Sequence, residues 1–365
     1  MKRIAIDARI IYTSTGRYVE RLIEYLQQID RAHDYAVLLR KADFDRWQPK
    51  APNFRKIVAD HQSFTFGEQI GFARQLRALS PDLVHFTVPQ QPMLYRGRRV
   101  TTIHDLTAID FINRRDGGLL RRAYKTGVKP MVFRIMLRLI ARDSAELITP
   151  TRYVRQQLID RLNADPARTT HTYESAEQLA ERGEPMPALA GTDFILYVGT
   201  AHLHKNLQRL VDAAAGLKGV KLVLAGKPDV FYEQLQKYIA ERRYANVHYL
   251  GFVSDPQLAW LYQNAKLYVF PSLSEGFGLP GLEAMSYGVP VAAANASCLP
   301  EVYGEAAAYF DPASVDDIRI TLERLLADPE RLARLKRAGL AQVRQYSWRR
   351  MAEQTLAIYD KALSR

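Results

Sequence analysis

The chain has 365 residues, enough for two ordinary domains, and its 47% hydrophobic and 25% charged residues are a globular composition, not that of a disordered, collagen-like or fibrous chain. A single cysteine, Cys298, excludes an intramolecular disulfide framework and any cysteine-rich zinc site. The net charge of +12 is lopsided: residues 1–190 carry 31 Lys+Arg against 21 Asp+Glu, residues 191–365 carry 20 against 18, and 12 basic but only 3 acidic residues lie between Arg96 and Arg142. Such a field suits an anionic partner (nucleic acid, anionic membrane or phosphorylated lipid), or it is a solvated helix face.

The chain opens Met1-Lys2-Arg3-Ile4-Ala5-Ile6-Asp7, with an acid where a signal peptide needs its apolar run. Nowhere do about eighteen apolar residues run uninterrupted. The expected location is the cytoplasm or a membrane face that the chain does not cross.

Two series of short apolar runs follow. The first is Arg3–Ile6, Tyr35–Leu39, Leu83–Phe86, Val100–His104 and Glu146–Pro150; the second is Phe194–Val198, Val220–Ala225, Val247–Leu250, Leu267–Phe270, Pro290–Ala294 and Ala307–Phe310. Continuous apolar runs bounded by Gly, Pro or Asp suit strands buried on both faces, as in a parallel sheet. Between them lie stripes at helical spacing, such as Val19/Leu22/Ile23/Leu26 and Leu207/Leu210/Val211/Ala214. Strand then helix, repeated in two series, predicts an α/β chain of two doubly wound domains, residues 1–173 and 174–347. The break is expected in the polar stretch 174–192, where Glu184-Pro185-Met186-Pro187 interrupts regular structure. Residues 348–365 carry Met351, Ala352, Thr355, Leu356 and Tyr359 on one helical face and are expected to cross back to the N-terminal domain. Open α/β sheets bind ligands beyond the carboxyl ends of their strands, so facing sheets would hold a ligand in the cleft between them.

The most informative segment runs from Pro271 to Pro290, after the predicted strand Leu267–Phe270. Gly276 and Gly278 permit tight turns and close backbone approach. Pro280 suits a first helical turn, and Gly288 then Pro290 suit its stop. The predicted one-to-two-turn helix presents free N–H groups to an anion at its start. Glu275 ahead of that helix and Glu283 about one turn inside it can accept hydrogen bonds from a polyol, or are a turn Glu and a solvated helix Glu.

This segment resembles the E-x7-E signature, in its Glu-Gly-Phe-Gly-Leu-Pro form, of the retaining glycosyltransferases of family 4. These have the GT-B fold, two Rossmann-like domains facing a cleft. The resemblance extends along the chain. It takes in Ile4-Ala-Ile-Asp-Ala-Arg9 with Gly16-Arg17-Tyr18, and Thr102-Ile-His104-Asp105-Leu106. In the second half it takes in Tyr197-Val-Gly199-Thr200 with His204-Lys205-Asn206-Leu207, Gly251-Phe-Val253-Ser-Asp255, and Ser347-Trp348. It implies a hexose, mannose first, moved from a nucleotide-diphosphate sugar to a saccharide or lipid-linked acceptor in envelope polysaccharide or glycolipid synthesis. It implies catalytic roles for His104, Lys205 and Glu275, with His104 positioning the transferred sugar. The donor would be bound by Gly16, Thr200, His204, Lys205, Val253, Asp255, Glu275, Gly276, Phe277, Gly278, Leu279 and Glu283. Lys205 would meet the diphosphate, Glu275 the sugar hydroxyls and Glu283 the ribose; His204 stands where many relatives have Arg. Acceptor binding would fall to the N-terminal domain.

No metal is expected: Asp43-Phe-Asp45 lies outside any predicted strand end, and no Cys pair or His-Glu-x-x-His is present. A GT-B-type nucleotide-sugar epimerase would share the architecture without needing the Glu275–Glu283 segment. A basic nucleic-acid binder would need aromatics interleaved with its cations; Phe111, Tyr124 and Phe133 are too few between Arg96 and Arg142, so no nucleic acid is expected. Leu119-Leu120-Arg121-Arg122-Ala123-Tyr124-Lys125, continuing through Val132, Ile135, Met136 and Leu139, mixes apolar and basic residues at helical spacing, which suits an anionic membrane surface or packing on the first sheet with the cations solvated.

Overall fold

A computed structural model describes residues 1–13, 15–62, 65–111 and 129–365. They form two compact units, Met1–Glu174 with Ser347–Arg365, and Ser175–Tyr346. The first holds strands β1 (Lys2–Asp7), β2 (His33–Leu39), β3 (Phe54–Val58), β4 (Leu83–Phe86), β5 (Arg99–Thr102), β6 (Glu146–Thr149) and β7 (Thr169–His171). All pair in parallel, in the order β3-β2-β1-β4-β5-β6-β7. The central strands bury nearly every residue, the polar His85, Arg99, Thr101, Thr102, Glu146 and Thr149 included.

The second unit holds β8 (Phe194–Val198), β9 (Lys221–Ala225), β10 (Val247–Tyr249), β11 (Leu267–Phe270), β12 (Val291–Ala294) and β13 (Ala307–Phe310), again all parallel, in the order β10-β9-β8-β11-β12-β13. In each sheet the first strand of the unit lies beside the fourth, and the winding reverses there. Loops leaving those two strands diverge to opposite faces and open a crevice at the carboxyl edge. In the first unit the crevice follows β1 and β4, and in the second β8 and β11.

Two strands have no counterpart among the apolar runs, Phe54–Val58 and Thr169–His171, and they are the two edges of the first sheet. An edge strand is covered on fewer sides, so Arg55, Lys56 and His171 are tolerated there. The strand expected at Val100–His104 ends at Thr102, which places His104 in the loop beyond the sheet. The segment 119–125, with Arg121 and Arg122, lies outside the described residues; the helix Lys129–Asp143 lies within them.

The last helix, Trp348–Ser364, belongs to the first unit and packs on the helix Gly16–Ile29. Ser347 caps it by accepting from the Arg350 N–H, and Met351, Ala352, Thr355, Ile358, Tyr359 and Ala362 form its buried face. Lys361 and Arg365 pair with buried Glu146 at 2.9 and 3.1 Å. Deeper in, the Tyr359 hydroxyl lies 2.6 Å from Nδ1 of His85, whose Nε2 lies 2.8 Å from the Thr102 hydroxyl. Burial, then the nearby charge of His104, pushes the His85 pKa down to about 3, so this ring is neutral and needs both neighbours. Tyr359→Phe strands one buried ring nitrogen and should destabilise the first unit by about 1–3 kcal/mol. The expected result is a lower urea midpoint for that unit alone; an unchanged midpoint would remove this hydrogen bond from the anchoring of the helix.

Candidate active site

In the second unit, two loops meet where the sheet order reverses. One leaves β8 through Gly199 and Thr200, makes a 3-10 turn at Leu203–Lys205, and enters the helix Leu207–Ala215 through Asn206. Asn206 takes a left-handed conformation (φ 59°), and its amide donates to the carbonyls of Pro271 and Pro312 at 3.1 and 2.8 Å. The second loop leaves β11 at Pro271 and ends at Gly278. The Leu273 N–H donates to the His204 carbonyl at 2.8 Å, so the loops are stitched through backbone.

Across that seam, Lys205 Nζ lies 2.6 Å from Glu275 Oε1, with side chains only 17% and 13% exposed. Charge-assisted contacts of this length are strong, but desolvating both partners cancels much of the gain, so the pair adds little net stability. The Glu275 backbone is held on both sides: its N–H donates to Ser297 Oγ at 3.2 Å, and its carbonyl accepts from Cys298 Sγ at 3.3 Å. The carboxylate is thus a fixed negative charge, and it also raises the pKa of buried Tyr197, Tyr268 and Tyr303, after burial itself.

Gly278 (φ 93°) turns the chain into the two-turn helix Leu279–Ser286 and offers no side chain to cap it. The Tyr303 hydroxyl donates to the Gly278 carbonyl at 2.6 Å, and a Cβ on Gly278 or Gly281 would lie 2.6 or 2.2 Å from that same oxygen. Two glycines are therefore demanded by one buried tyrosine, which draws the helix start onto the sheet. Phe277 is buried with its ring edge-on to Tyr346, so its side chain serves packing. Glu283 is buried inside the helix, where the Tyr262 hydroxyl donates to Oε2 at 3.2 Å.

Val253 and Asp255 lie beyond β10, two strands from β8. Asp255 starts the helix Asp255–Asn264 behind a Ser254/Gln257 capping box, and an acid in that first turn is favoured by the helix dipole alone. What ties this loop to the site is a glycine ladder. The Gly199 N–H donates to Ala225 O at 3.0 Å and the Gly226 N–H to Gly251 O at 2.9 Å, while a Cβ on Gly226 would fall 2.0 Å from the Gly199 carbonyl. Gly226 is a site-building residue that the sequence reading missed, and a glycine directly after an apolar strand was the available signal; Asn206 was read only as part of the His204–Leu207 element, without its own role.

In the first unit, Gly16 starts its helix where a Cβ would lie 2.2 and 2.3 Å from the carbonyl oxygens of Ile11 and Ile10, so no side chain fits. Arg9, which the sequence placed in the opening motif without a role, is buried and binds Asp7 (2.8 Å) and Glu68 (3.0 Å), and its guanidinium donates to the His61 and Gln90 carbonyls. It pins the loops after β1 and β4 and the segment between β3 and β4. His104 places Nε2 3.0 Å from the Thr87 carbonyl and Nδ1 3.2 Å from Glu174, with the Tyr18 ring edge-on at 4.8 Å. Both ring nitrogens are engaged within the protein. Among the described residues, no three His, Cys, Asp or Glu side chains cluster as a metal site would need, and no helix is long and apolar enough to cross a membrane.

Residues 187–342 match the glycosyl transferases group 1 family, and residues 13–173 match the glycosyl transferase 4-like domain. O-antigen chain mannosyltransferase B of Escherichia coli is 30% identical over 95% of this chain and 96% of its own length. The MMP alpha-(1->4)-mannosyltransferase of Mycolicibacterium hassiacum is 43% identical over 44% of this chain and 41% of its own. Sucrose-phosphate synthase of Thermosynechococcus elongatus, a solved structure at 20% identity, superposes with a TM-score of 0.78 over 99% of this chain and 98% of that one.

Proposed function

The chain belongs to the group 1 glycosyl transferases and is a glycosyltransferase of the GT-B fold, and we propose that it moves a mannosyl residue, with GDP-mannose the first candidate donor, to a hydroxyl of a saccharide or lipid-linked acceptor with retention of configuration. Relatives that are mannosyltransferases by name favour this over a nucleotide-sugar epimerase or a nucleic-acid-binding protein. The observation that carries the reading is the Lys205–Glu275 pair at the sheet's reversal point.

Breaking the bond between C1 and the phosphate oxygen develops positive charge on the sugar and negative charge on the leaving diphosphate. Lys205 and the start of the helix Leu279–Ser286 are preorganised donors for that anion. Glu275 accepts from sugar hydroxyls, and Glu283 from the ribose. The donor separates the ion pair, so that the diphosphate replaces Glu275 at Lys205 and the hexose replaces Lys205 at Glu275. The acceptor oxygen then bonds to C1 on the face the diphosphate leaves, and its proton passes to a phosphate oxygen of the leaving group. This scheme needs no enzymatic nucleophile, and its counter-charge is supplied by side chain and backbone without a metal ion. Thr200, His204, Val253, Asp255, Gly276, Phe277, Gly278 and Leu279 complete the proposed donor site of the second unit, largely through backbone.

Lys205→Ala should lower turnover by about 100- to 1000-fold with the fold intact, the cost of losing one such donor. Calorimetric titration with GDP-mannose and GDP separates the carboxylates. Glu275→Gln should weaken the sugar nucleotide more than GDP, and Glu283→Gln should weaken both. Equal losses for both ligands in both variants would sink the assignment.

We propose further that the chain works at the inner face of the plasma membrane, attached peripherally. The support is the helix Lys129–Asp143, where Met131, Val132 and Ile135 are 58%, 56% and 48% exposed beside Arg134, Arg138 and Arg142. Each cation near an anionic leaflet contributes about 1 kcal/mol, screened by salt. Flotation should show binding to vesicles containing anionic lipid, lost at high salt and reduced when these arginines are neutralised; no binding at low salt would contradict this.

A further inference from the structure

The register of the first sheet puts Ala5, Val84, Phe86, Thr101 and Leu147 on one face. Two helical segments cover that face, opposite the one where Tyr359 of the last helix meets His85. The first runs from the π-helix Gly67–Phe72 into the α-helix Ala73–Leu79 and packs Phe72, Ala73 and Leu76 with Ala5, Val84 and Phe86. The second is the helix Lys129–Asp143, which packs Leu137, Ile140 and Ala141 with Leu147. The chain after β4 runs between them. Met93 packs against the second cluster and Tyr95 belongs to the first, while Leu94 turns outward and its carbonyl accepts from Arg77 at 3.0 Å.

Phe66 and Ile70, four residues apart where the first segment begins, are 86% and 50% exposed, and Leu94 is 52% exposed. With Met131, Val132 and Ile135 of the second helix they make up half of the large apolar side chains exposed among the described residues, all over one face of one unit. Apolar side chains exposed singly are ordinary, but grouped ones mark a surface that meets something. The charge says what. The acids on these segments are already paired, Glu68 with Arg9, and Asp143 with Arg96, Arg99 and Arg142. Arg74, Arg77, Arg134 and Arg138 leave the face positive.

We propose that the first unit meets an anionic bilayer with this whole face, and that Phe66, Ile70 and Leu94 enter the boundary between headgroups and acyl chains as an apolar anchor separate from the helix Lys129–Asp143. The inference rests on the peripheral-attachment reading given above and adds the crossover between β3 and β4 to it. Arginines beside apolar tips suit a layer of phosphates over hydrocarbon, since a guanidinium pairs with phosphate while the tips reach past it. Three side chains at that depth hold less than one acyl chain would, so attachment still needs the cations and is still lost at high salt.

Phe66→Cys carrying an NBD fluorophore reads the depth directly, because the one native thiol, Cys298, is buried. Lys237→Cys, at an exposed position of the second unit, is the control. With vesicles of phosphatidylethanolamine and phosphatidylglycerol, the probe at position 66 should shift to the blue and be quenched by lipids brominated on their acyl chains; the probe at 237 should do neither. Phe66→Ser/Ile70→Ser should weaken vesicle binding by about tenfold or more and keep the wild-type dependence on salt, because every arginine remains. Side chains this exposed can be changed with the fold intact, and the probe measurement stands without the double variant. A labelled chain that floats with the vesicles while its probe at 66 stays in water would overturn the proposal, as would a double variant that binds as the wild type does. A blue shift that appears without vesicles and grows with protein concentration would assign the face to a second copy of the chain and overturn it too. Failure of the peripheral reading itself would show separately, as a wild type that binds no anionic vesicle even at low salt.

Discussion

Lys205 and Glu275 lie on neighbouring loops because β8 and β11 are neighbouring strands, and those strands are neighbours because the winding of the second sheet reverses between them. An ion pair this short and this little exposed is not kept for stability, since its desolvation offsets most of its attraction. Its surroundings serve to fix where the two charges stand. Asn206 ties the lysine loop to the strand ends, Ser297 and Cys298 hold the glutamate backbone, and Tyr303 fixes the glycines that follow. Preorganised charges of both signs, aimed at a crevice, suit a reaction in which charge separates.

The first unit repeats the sheet order and builds its own crevice with different chemistry. There the rigid parts are a buried arginine bonded to two carboxylates and two carbonyls, and a histidine clamped between a carbonyl and a carboxylate. The last helix reaches the same region through Tyr359 and His85. His85 and His104 sit close enough to feel one another, and burial without an acidic partner discharges one while Glu174 favours charge on the other.

Much of this was legible in the amino-acid order because burial on both faces forces continuous apolar runs. Leu83–Phe86, Phe194–Val198, Leu267–Phe270 and Ala307–Phe310 coincide with observed strands to the residue. The strands that escaped, Phe54–Val58 and Thr169–His171, are edges whose exposed side admits Arg, Lys and His. At the site, the Glu275–Glu283 segment was readable because its glycines and prolines have backbone duties that no other residue meets. Lys205 and Glu275 were each readable as candidates, but not as partners, since 70 residues separate them in the chain. Glu174 escaped notice for the same reason: nothing local distinguishes it from other loop glutamates, and its meaning comes from His104, also 70 residues away. Pairings that a sheet creates between distant loops leave no periodicity behind.

The most direct test is a crystal structure of the wild-type protein with an intact, slowly transferred nucleotide-sugar analogue. The account predicts that the 2.6 Å Lys205–Glu275 contact is gone, with Lys205 Nζ on a phosphate oxygen and the Glu275 carboxylate on a hexose hydroxyl. A bound donor that leaves the pair closed and both side chains out of its reach would contradict it.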